Sequence, residues 1–574
     1  MKKKFRTMAL LTAIACAASL AGCGSSDASY SESADNDVYV NDSKDASPET
    51  AAVQDGGYYS DAAQVEEAAE EEAGNFYDNA LDATMGTADF TYAVDTEYQY
   101  FPNSEEYEDI TESGFKLTSE NPLSTFSADV DTASYTNIRR MLNNGYFPNS
   151  EAVRIEEIMN YFDYDYPNAK DGEPFSVTTE LSTCPWNEDN QLLLVGIKAD
   201  GSKVQTDLPM NLVFLIDVSG SMYDSDKLPL VQQAFTMLTD KLDSEDRISI
   251  VTYAGEDRVV LRGESGENKK VINNAINDLT AGGATAGAAG IATAYEIAEE
   301  YFIEGGNNRV ILATDGDLNV GVSNKDGLVE LIEKERDSGV YLSVLGFGEG
   351  NLKDDRLEAL ADNGNGNYSY IDCVSEAKKV LIDEMDATLV TVAKDVKFLV
   401  EFNPENVAGY RLIGYENRAL ANKDFNDDTK DAGEVGAGST VTVLYEIIPA
   451  NSANAYTPEY RYSANEKPAE TSAPGGEYSD ELLTVNIRCK APDSEESDLY
   501  SYPVKVSLFT ERMPKNLNFA ACCAEFGMLL RNSENKGTST WNGLTDMLDN
   551  YDYSDDEYKT EFEYLVRAAA NFSR

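Results

Sequence analysis

Residues 211–221 read NLVFLIDVSGS, and this stretch constrains the fold more than any other. Leu212–Ile216 is an uninterrupted apolar run, short for a helix and suited to a strand buried on both faces. It stops at Asp217, followed by Ser219 and Ser221 with Gly220 between them. A buried strand ending in an acid and two hydroxyls delivers oxygen ligands to the carboxyl edge of a sheet, where open α/β folds bind ligands. Oxygen donors with neutral hydroxyls in the majority suit a hard divalent cation such as magnesium. Alone, D-x-S-x-S also fits a helix N-cap after a strand.

The rest of the pattern decides. Asn308–Thr314 is a second buried-strand run, and it ends in Asp315-Gly316-Asp317. Between the two lies Gly282-Gly283-Ala284-Thr285, opening a helix predicted over about residues 288–301. The glycines let that loop bend tightly, so that Thr285 can approach an ion held by the other two segments. Further buried strands are predicted at Ile248–Tyr253 and Val340–Phe347, with a short edge strand at Gly366–Ile371. Helical patterns fall at Lys227–Leu242, Asn268–Leu279, Lys325–Ser338, Leu352–Asn363 and Ser375–Lys394. Strands alternating with helices predict an α/β fold with a mainly parallel sheet covered on both faces. A dinucleotide site does not fit, because the first loop lacks G-x-G-x-x-G and its acid would repel a pyrophosphate.

Asp217-x-Ser219-x-Ser221, Thr285 and Asp315, in that order, resemble the metal-ion-dependent adhesion site of von Willebrand factor type A (vWA) domains. The resemblance spans about residues 205–394 and implies a doubly wound, Rossmann-like domain. It implies Ser219, Ser221 and Thr285 as direct or near-direct ligands of Mg2+ (or Mn2+ or Ca2+), with Asp217 and Asp315 acting directly or through water. It also implies a partner protein whose acidic side chain completes the metal shell. Elementary electrostatics agrees, since fewer protein anions leave more of the cation's field for an incoming one. Asp317 suits either an Asp-Gly turn or an outer hydrogen-bonding role around the metal.

Catalysis is poorly served. The chain has no His, which removes Ser-His-Asp and Cys-His devices and the usual zinc sites. A magnesium-dependent hydrolase gathers several carboxylates on its metal, whereas these loops supply hydroxyls. The expectation is a binding protein, not an enzyme, with such a hydrolase the less favoured alternative.

Lys2, Lys3, Lys4 and Arg6 precede an apolar segment, Met8–Leu20, and then Leu20-Ala21-Gly22-Cys23. The basic flank and short apolar core fit a secretory signal over residues 1–22 rather than a spanning helix. Leu-Ala-Gly-Cys resembles the bacterial lipobox, implying lipidation of Cys23 and an extracytoplasmic protein anchored at the cell membrane or cell surface. Residues 24–115 hold 24 Asp and Glu against one basic residue, Lys44. Such a segment cannot bury enough apolar surface to fold alone, so residues 23–115 read as an acidic low-complexity tether. A formal net charge of −58 opposes nucleic acid and anionic lipid surfaces, leaving the N-terminal lipid as the membrane contact. Cys184, Cys373, Cys489, Cys522 and Cys523 match no zinc or redox spacing, and Cys522-Cys523 lie in a helix-like apolar run as small hydrophobes.

On either side of the α/β pattern lie residues 116–204 and 395–574. The first includes FSADVDTASYTNIRRMLNNGYFPNS, which resembles the N-terminal module of bacterial vWA lipoproteins; Asp129 and Asp131 within it suit turns and caps better than metal ligands. The second, with VKFLVEFNP and YRLIGYENRAL, resembles that family's C-terminal module. Alternating strands are predicted at Phe175–Ser182, Gln191–Ile197, Val396–Phe402, Ser439–Ile448, Leu482–Cys489 and Tyr502–Phe509, and helices at 515–532 and 540–572. Strands on both sides of an intact α/β unit suggest one β-sandwich carrying an insertion, with two separate small β domains as the runner-up. The acidic loop Asp424–Glu434 fails as an EF-hand, because Thr429 stands where Gly is needed and Val435 where Glu is needed. The function expected is partner capture or, alternatively, a structural or assembly role in an envelope protein complex.

Overall fold

The computed structural model describes residues 104–572, apart from 171–172, 202–207, 284–286, 317–331, 333, 337, 453–477 and 493. Cys23, the tether as far as residue 103 and most of the helix expected at Lys325–Ser338 lie outside the described residues. In chain order the strands are β1 (Lys116–Leu117), β2 (Leu123–Ser127), β3 (Phe175–Cys184) and β4 (Asn187–Ala199). Then come β5 (Met210–Asp217), β6 (Arg247–Ala254), β7 (Glu256–Ser265), β8 (Asn307–Thr314), β9 (Tyr341–Phe347) and β10 (Tyr368–Ile371). The last are β11 (Thr391–Phe402), β12 (Val407–Ile413), β13 (Gly433–Gly436), β14 (Thr440–Pro449), β15 (Glu481–Lys490) and β16 (Ser497–Lys505). The helices are α1 (Ala133–Asn143), α2 (Ile155–Asn160), α3 (Leu228–Lys241), α4 (Lys269–Asn277), α5 (Gly287–Glu300) and α6 (Asp354–Asn363). They continue as α7 (Val374–Lys378), α8 (Met385–Leu389), α9 (Lys515–Arg531), α10 (Trp541–Leu548) and α11 (Glu557–Phe572).

The central sheet runs β10-β9-β8-β5-β6-β7. β5 pairs in parallel with β6 and β8, β8 with β9, and β9 with β10. The pleat sends Leu212, Phe214 and Ile216 into one core with α3 and α4, and Val213 and Leu215 into the other with α5 and α6. Phe214 stacks on Phe235 of α3, ring centroids 4.2 Å apart. This is the doubly wound α/β fold that the strand and helix alternation predicts. The antiparallel edge strand β7 is an addition, turned back from β6 at Gly255, whose φ of 79° suits glycine. Its charged ends and short Val259–Leu261 centre give little periodic signal.

Two further sheets form the base. One runs β1-β12-β14-β4-β3; the other runs β13-β11-β15-β16, with β2 added to β11. β4 precedes the α/β unit and β14 follows it, yet they pair from Thr440↔Lys198 to Ile447↔Gln191. β2 and β11 repeat that relation in the second sheet. The α/β unit is therefore inserted between β4 and β11 of a two-sheet base. Phe402 of β11 stacks on Tyr410 of β12 at 3.9 Å, joining the sheets face to face. Helices α2 and α9 cover the other face of the first sheet, where the Tyr166 ring occupies the space a Cβ on Gly196 would need. Covered on both sides, β4 and β14 are buried almost continuously instead of alternating.

Several boundaries differ from the sequence reading, each for a local reason. The helix expected through Lys394 ends earlier: a π-turn covers Lys379–Asp383, α8 stops at Leu389, and β11 begins at Thr391 with Lys394 opposite Lys490. The helix expected over 540–572 breaks into α10 and α11. Between them the Asp552 carboxylate accepts from the Ser554 amide at 3.0 Å and Asp556 caps Lys559 at 3.1 Å. The strand expected at Tyr502–Phe509 lies earlier, ending at Lys505 before a 3-10 turn. Residues 104–115, tether by composition, are packed: Ser104 and Glu106 amides donate to Gly350 and Leu352 carbonyls, and Glu105 pairs with Arg140. Cys184, Cys373, Cys489, Cys522 and Cys523 are free thiols, with Cys522 and Cys523 fully buried in the base.

Candidate metal centre

The strand order places β5 beside β8 at the centre of the sheet, and their carboxyl ends form the crevice where the direction of chain progression reverses. Asp217 ends β5, fully buried, and both of its oxygens are used. Oδ1 accepts from the Ser219 amide at 2.8 Å and Oδ2 accepts from the Thr314 hydroxyl at 3.1 Å. Burial pushes its carboxyl up to about 6; hydrogen bonds from Ser219 oppose that rise and the Asp315 charge adds to it. The fixed carboxylate turns the chain so that Ser219 Oγ and Ser221 Oγ stand 2.9 Å apart.

Asp315 follows β8 and is 1 % exposed. Gly316 makes the turn behind it, with φ 97° and no room for a Cβ, which would lie 2.6 Å from the Lys353 amide nitrogen. The glycine loop docks on the first loop: the Gly282 amide donates to the Val218 carbonyl at 2.8 Å, and the Gly220 amide to the Gly283 carbonyl at 3.1 Å. Gly283 has φ 94°, the left-handed region that glycine tolerates. Thr285 and Asp317 lie outside the described residues. Asp217, Ser219, Ser221 and Asp315 are thus brought to one edge, with the Gly282-Gly283 pair against them.

Two residues of this edge escape sequence reasoning. Thr314 is the last residue of an apolar strand, and its hydroxyl both orients Asp217 and accepts from the Gly316 amide at 3.2 Å. Lys227 precedes α3 and donates from Nζ to Asp315 Oδ2 at 3.0 Å. A lysine at the mouth of an apolar helix in so acidic a chain was the available signal.

The donor set fits a hard divalent cation: hydroxyls pre-positioned by a buried carboxylate, all oxygen, with a second carboxylate alongside. Among the described residues no three His, Cys, Asp or Glu side chains converge as a metal nest. This edge differs from such a nest by taking its remaining oxygens from hydroxyls. The other acidic candidates, Asp129 with Asp131 and the loop Asp424–Glu434, lie beside the protein's own cations. Asp129 accepts from the Asp131 amide at 3.0 Å in a turn, and both pair with Arg418 at 3.2 and 3.1 Å. In the loop Asp424–Glu434, Lys397 and Lys490 donate to the carbonyls of Asp427 and Asp428.

Family models match the chain in three stretches. The von Willebrand factor type A domain model matches residues 211–382, the von Willebrand factor model residues 101–194, and the model for the C-terminal part of the uncharacterized protein YfbK residues 387–572. The YfbK protein of Escherichia coli (strain K12) is 42 % identical over 477 residues, covering 82 % of this chain and 81 % of that protein. The chain belongs to the YfbK family of bacterial vWA-domain proteins. The uncharacterized protein sll0103 of Synechocystis is 32 % identical over 196 residues, 34 % of this chain and 44 % of that protein. Among solved structures, the von Willebrand factor type A protein from Catenulispora acidiphila aligns over 67 % of this chain and 89 % of its own, at 14 % identity and a TM-score of 0.37. A vWA domain commonly mediates protein–protein interaction through a metal-ion-dependent adhesion site.

Proposed function

We propose that the protein is a lipid-anchored, extracytoplasmic receptor that captures a partner protein through a divalent cation, Mg2+ or Mn2+ in the first instance. Ser219, Ser221 and Thr285 hold the cation, Asp217 and Asp315 orient the hydroxyls and bridging waters, and an acidic side chain of the partner completes the shell. The observation that carries this reading is the hydroxyl pair 2.9 Å apart, held by a carboxylate whose own oxygens are already engaged. Such a centre spends little anionic charge on the ion and leaves its field for an outside carboxylate. The chain's own part in this reading is recognition, and the sequence contains no His to move protons.

Anchoring rests on Leu20-Ala21-Gly22-Cys23 behind a basic, apolar leader. Among the described residues no helix is long and apolar enough to cross a membrane. Diacyl or triacyl modification of Cys23 gives stable attachment where one chain would not. The test is a pull-down from native membranes with and without chelator. Partner recovery is expected to fail in chelator, return with added magnesium or manganese, and stay absent for Asp217→Ala. Equal recovery with and without metal would overturn the reading. Cys23→Ala is expected to release the protein from the membrane fraction; retention would overturn the anchor.

A further inference from the structure

Lys227 is held unusually well for a lysine. Its amide donates to the Asp224 carbonyl at 3.1 Å and its carbonyl accepts the first α3 bond, from Val231, at 2.9 Å. The methylene stem lies in a slot over Gly348, where a Cβ would collide with Cγ, Cδ and Cε of the lysine. Gly348 has φ 74°, and its carbonyl accepts from the Tyr370 hydroxyl at 2.8 Å, which fixes the floor of the slot. The side chain is 7 % exposed and ends 3.0 Å from Asp315. In a chain with 103 acidic residues, an ammonium could pair at little cost almost anywhere on the surface. Burying it beside one of two metal-site carboxylates carries a desolvation penalty, so the placement has a consequence at that site.

The consequence is electrostatic. Asp217 and Asp315 with Lys227 sum to a single negative charge, whereas the two carboxylates alone sum to two. Against a divalent cation the first set leaves one positive charge and the second leaves none. We infer that Lys227 sets the charge of the metal centre, loosening its hold on the cation and strengthening the cation's hold on an anionic ligand. This rests on the centre binding a divalent cation as proposed above. Lys227 is a positioning and charge-setting residue; it touches Asp315, and the ion acts on the ligand.

The test titrates Mn2+ into the full chain and follows free Mn2+ by electron paramagnetic resonance, then adds acetate as the carboxylate probe and follows water relaxation. Lys227→Met keeps the stem in its slot and removes the charge. It is expected to bind Mn2+ about tenfold tighter or more, and acetate on the loaded site correspondingly weaker. Lys227→Arg is expected to stay near the unmodified protein in both. Gly348→Ala is expected to resemble Lys227→Met, because the filled slot displaces the ammonium from Asp315 without changing the lysine. Unchanged or weaker Mn2+ binding in folded Lys227→Met and Gly348→Ala, beside normal binding in the unmodified protein, would overturn the inference alone. Absence of tight Mn2+ binding in the unmodified protein would overturn the metal centre, and the inference with it. A purely structural lysine would lower the unfolding midpoint without moving either affinity.

Discussion

Two parts of the α/β unit treat charge in opposite ways. At the carboxyl edge of β5 and β8, two carboxylates stand with a hydroxyl pair and one lysine. At the seam with the base, charges are numerous, buried and closed upon each other. Arg418 pairs with Asp129, Asp131, Glu358 and Asp362, and Arg154 with Glu157 and Asp354. Arg139 joins α1 to Asp372, Glu376 and Glu561, drawing on β10's end, α7 and α11. The difference teaches that an acidic chain is not acidic uniformly in effect. Where the modules meet it supplies an arginine for each cluster, and at the β5–β8 edge it sets one lysine against two carboxylates.

Breaking the seam is expected to have the largest effect. Arg418→Ala removes the cation that four carboxylates share, and loss of one partner from a buried ion pair costs about 3–5 kcal/mol. The chemical-denaturation midpoint should fall accordingly, while metal binding at the opposite edge in protein that still folds should change little. A fall no larger than that of an exposed pair such as Arg567–Asp549 would mean the seam is not what joins the modules.

A second, smaller effect separates buried carboxylates that have a cation from one that accepts from a hydroxyl. Glu525 on α9 is 4 % exposed and accepts from the Ser539 hydroxyl at 3.0 Å. Burial pushes its carboxyl up to about 7, against the Ser539 hydrogen bond. Because the folded state favours the protonated acid, this group is easiest to bury below its unfolded value near 4.5, and stability is lost as pH rises through about 7. Its share of that loss between pH 5 and pH 8 is about 2–3 kcal/mol. Glu525→Gln should flatten the pH dependence of unfolding by this amount; an unchanged profile would place the titration elsewhere.

The central strands, the helix alternation and the placing of Asp217 and Asp315 at strand ends were legible in sequence because burial on both faces writes an unbroken apolar run, and because a strand's end is marked where the run stops. Leu212–Ile216 before Asp217 and Asn308–Thr314 before Asp315 are such cases. The insertion was legible for a different reason: strands stood on both sides of an intact unit. What escaped was decided by partners far away in sequence. No strand is predicted at Leu123–Ser127, because the partner that makes β2 a strand is the distant β11, and Arg418 takes its place only when four distant carboxylates surround it. Lys227 escaped for the same reason, since only the fold brings Gly348 and Asp315 to its two ends. The breaks at Leu389 and 549–556 follow local polar caps and β-pairing that helical periodicity does not register.

A smaller effect on stability, and a larger one on binding, is expected at the metal edge. Ser219→Ala removes one hydroxyl of the pair and should weaken Mn2+ binding about 10–100-fold. With the Asp217–Thr314 hydrogen bond retained, the unfolding free energy should move by about 1 kcal/mol or less. A large loss of stability with unchanged affinity would reverse the contrast between edge and seam.

The most direct measurement is a Mn2+ titration of the full chain beside its Asp217→Ala variant, with circular dichroism to show that both are folded. The acidic tether contributes the same weak background to each, so the difference reports the centre. A tight site is expected in the unmodified chain and its disappearance in Asp217→Ala. A tight site of equal affinity in both would contradict the assignment of the β5–β8 edge as the metal centre.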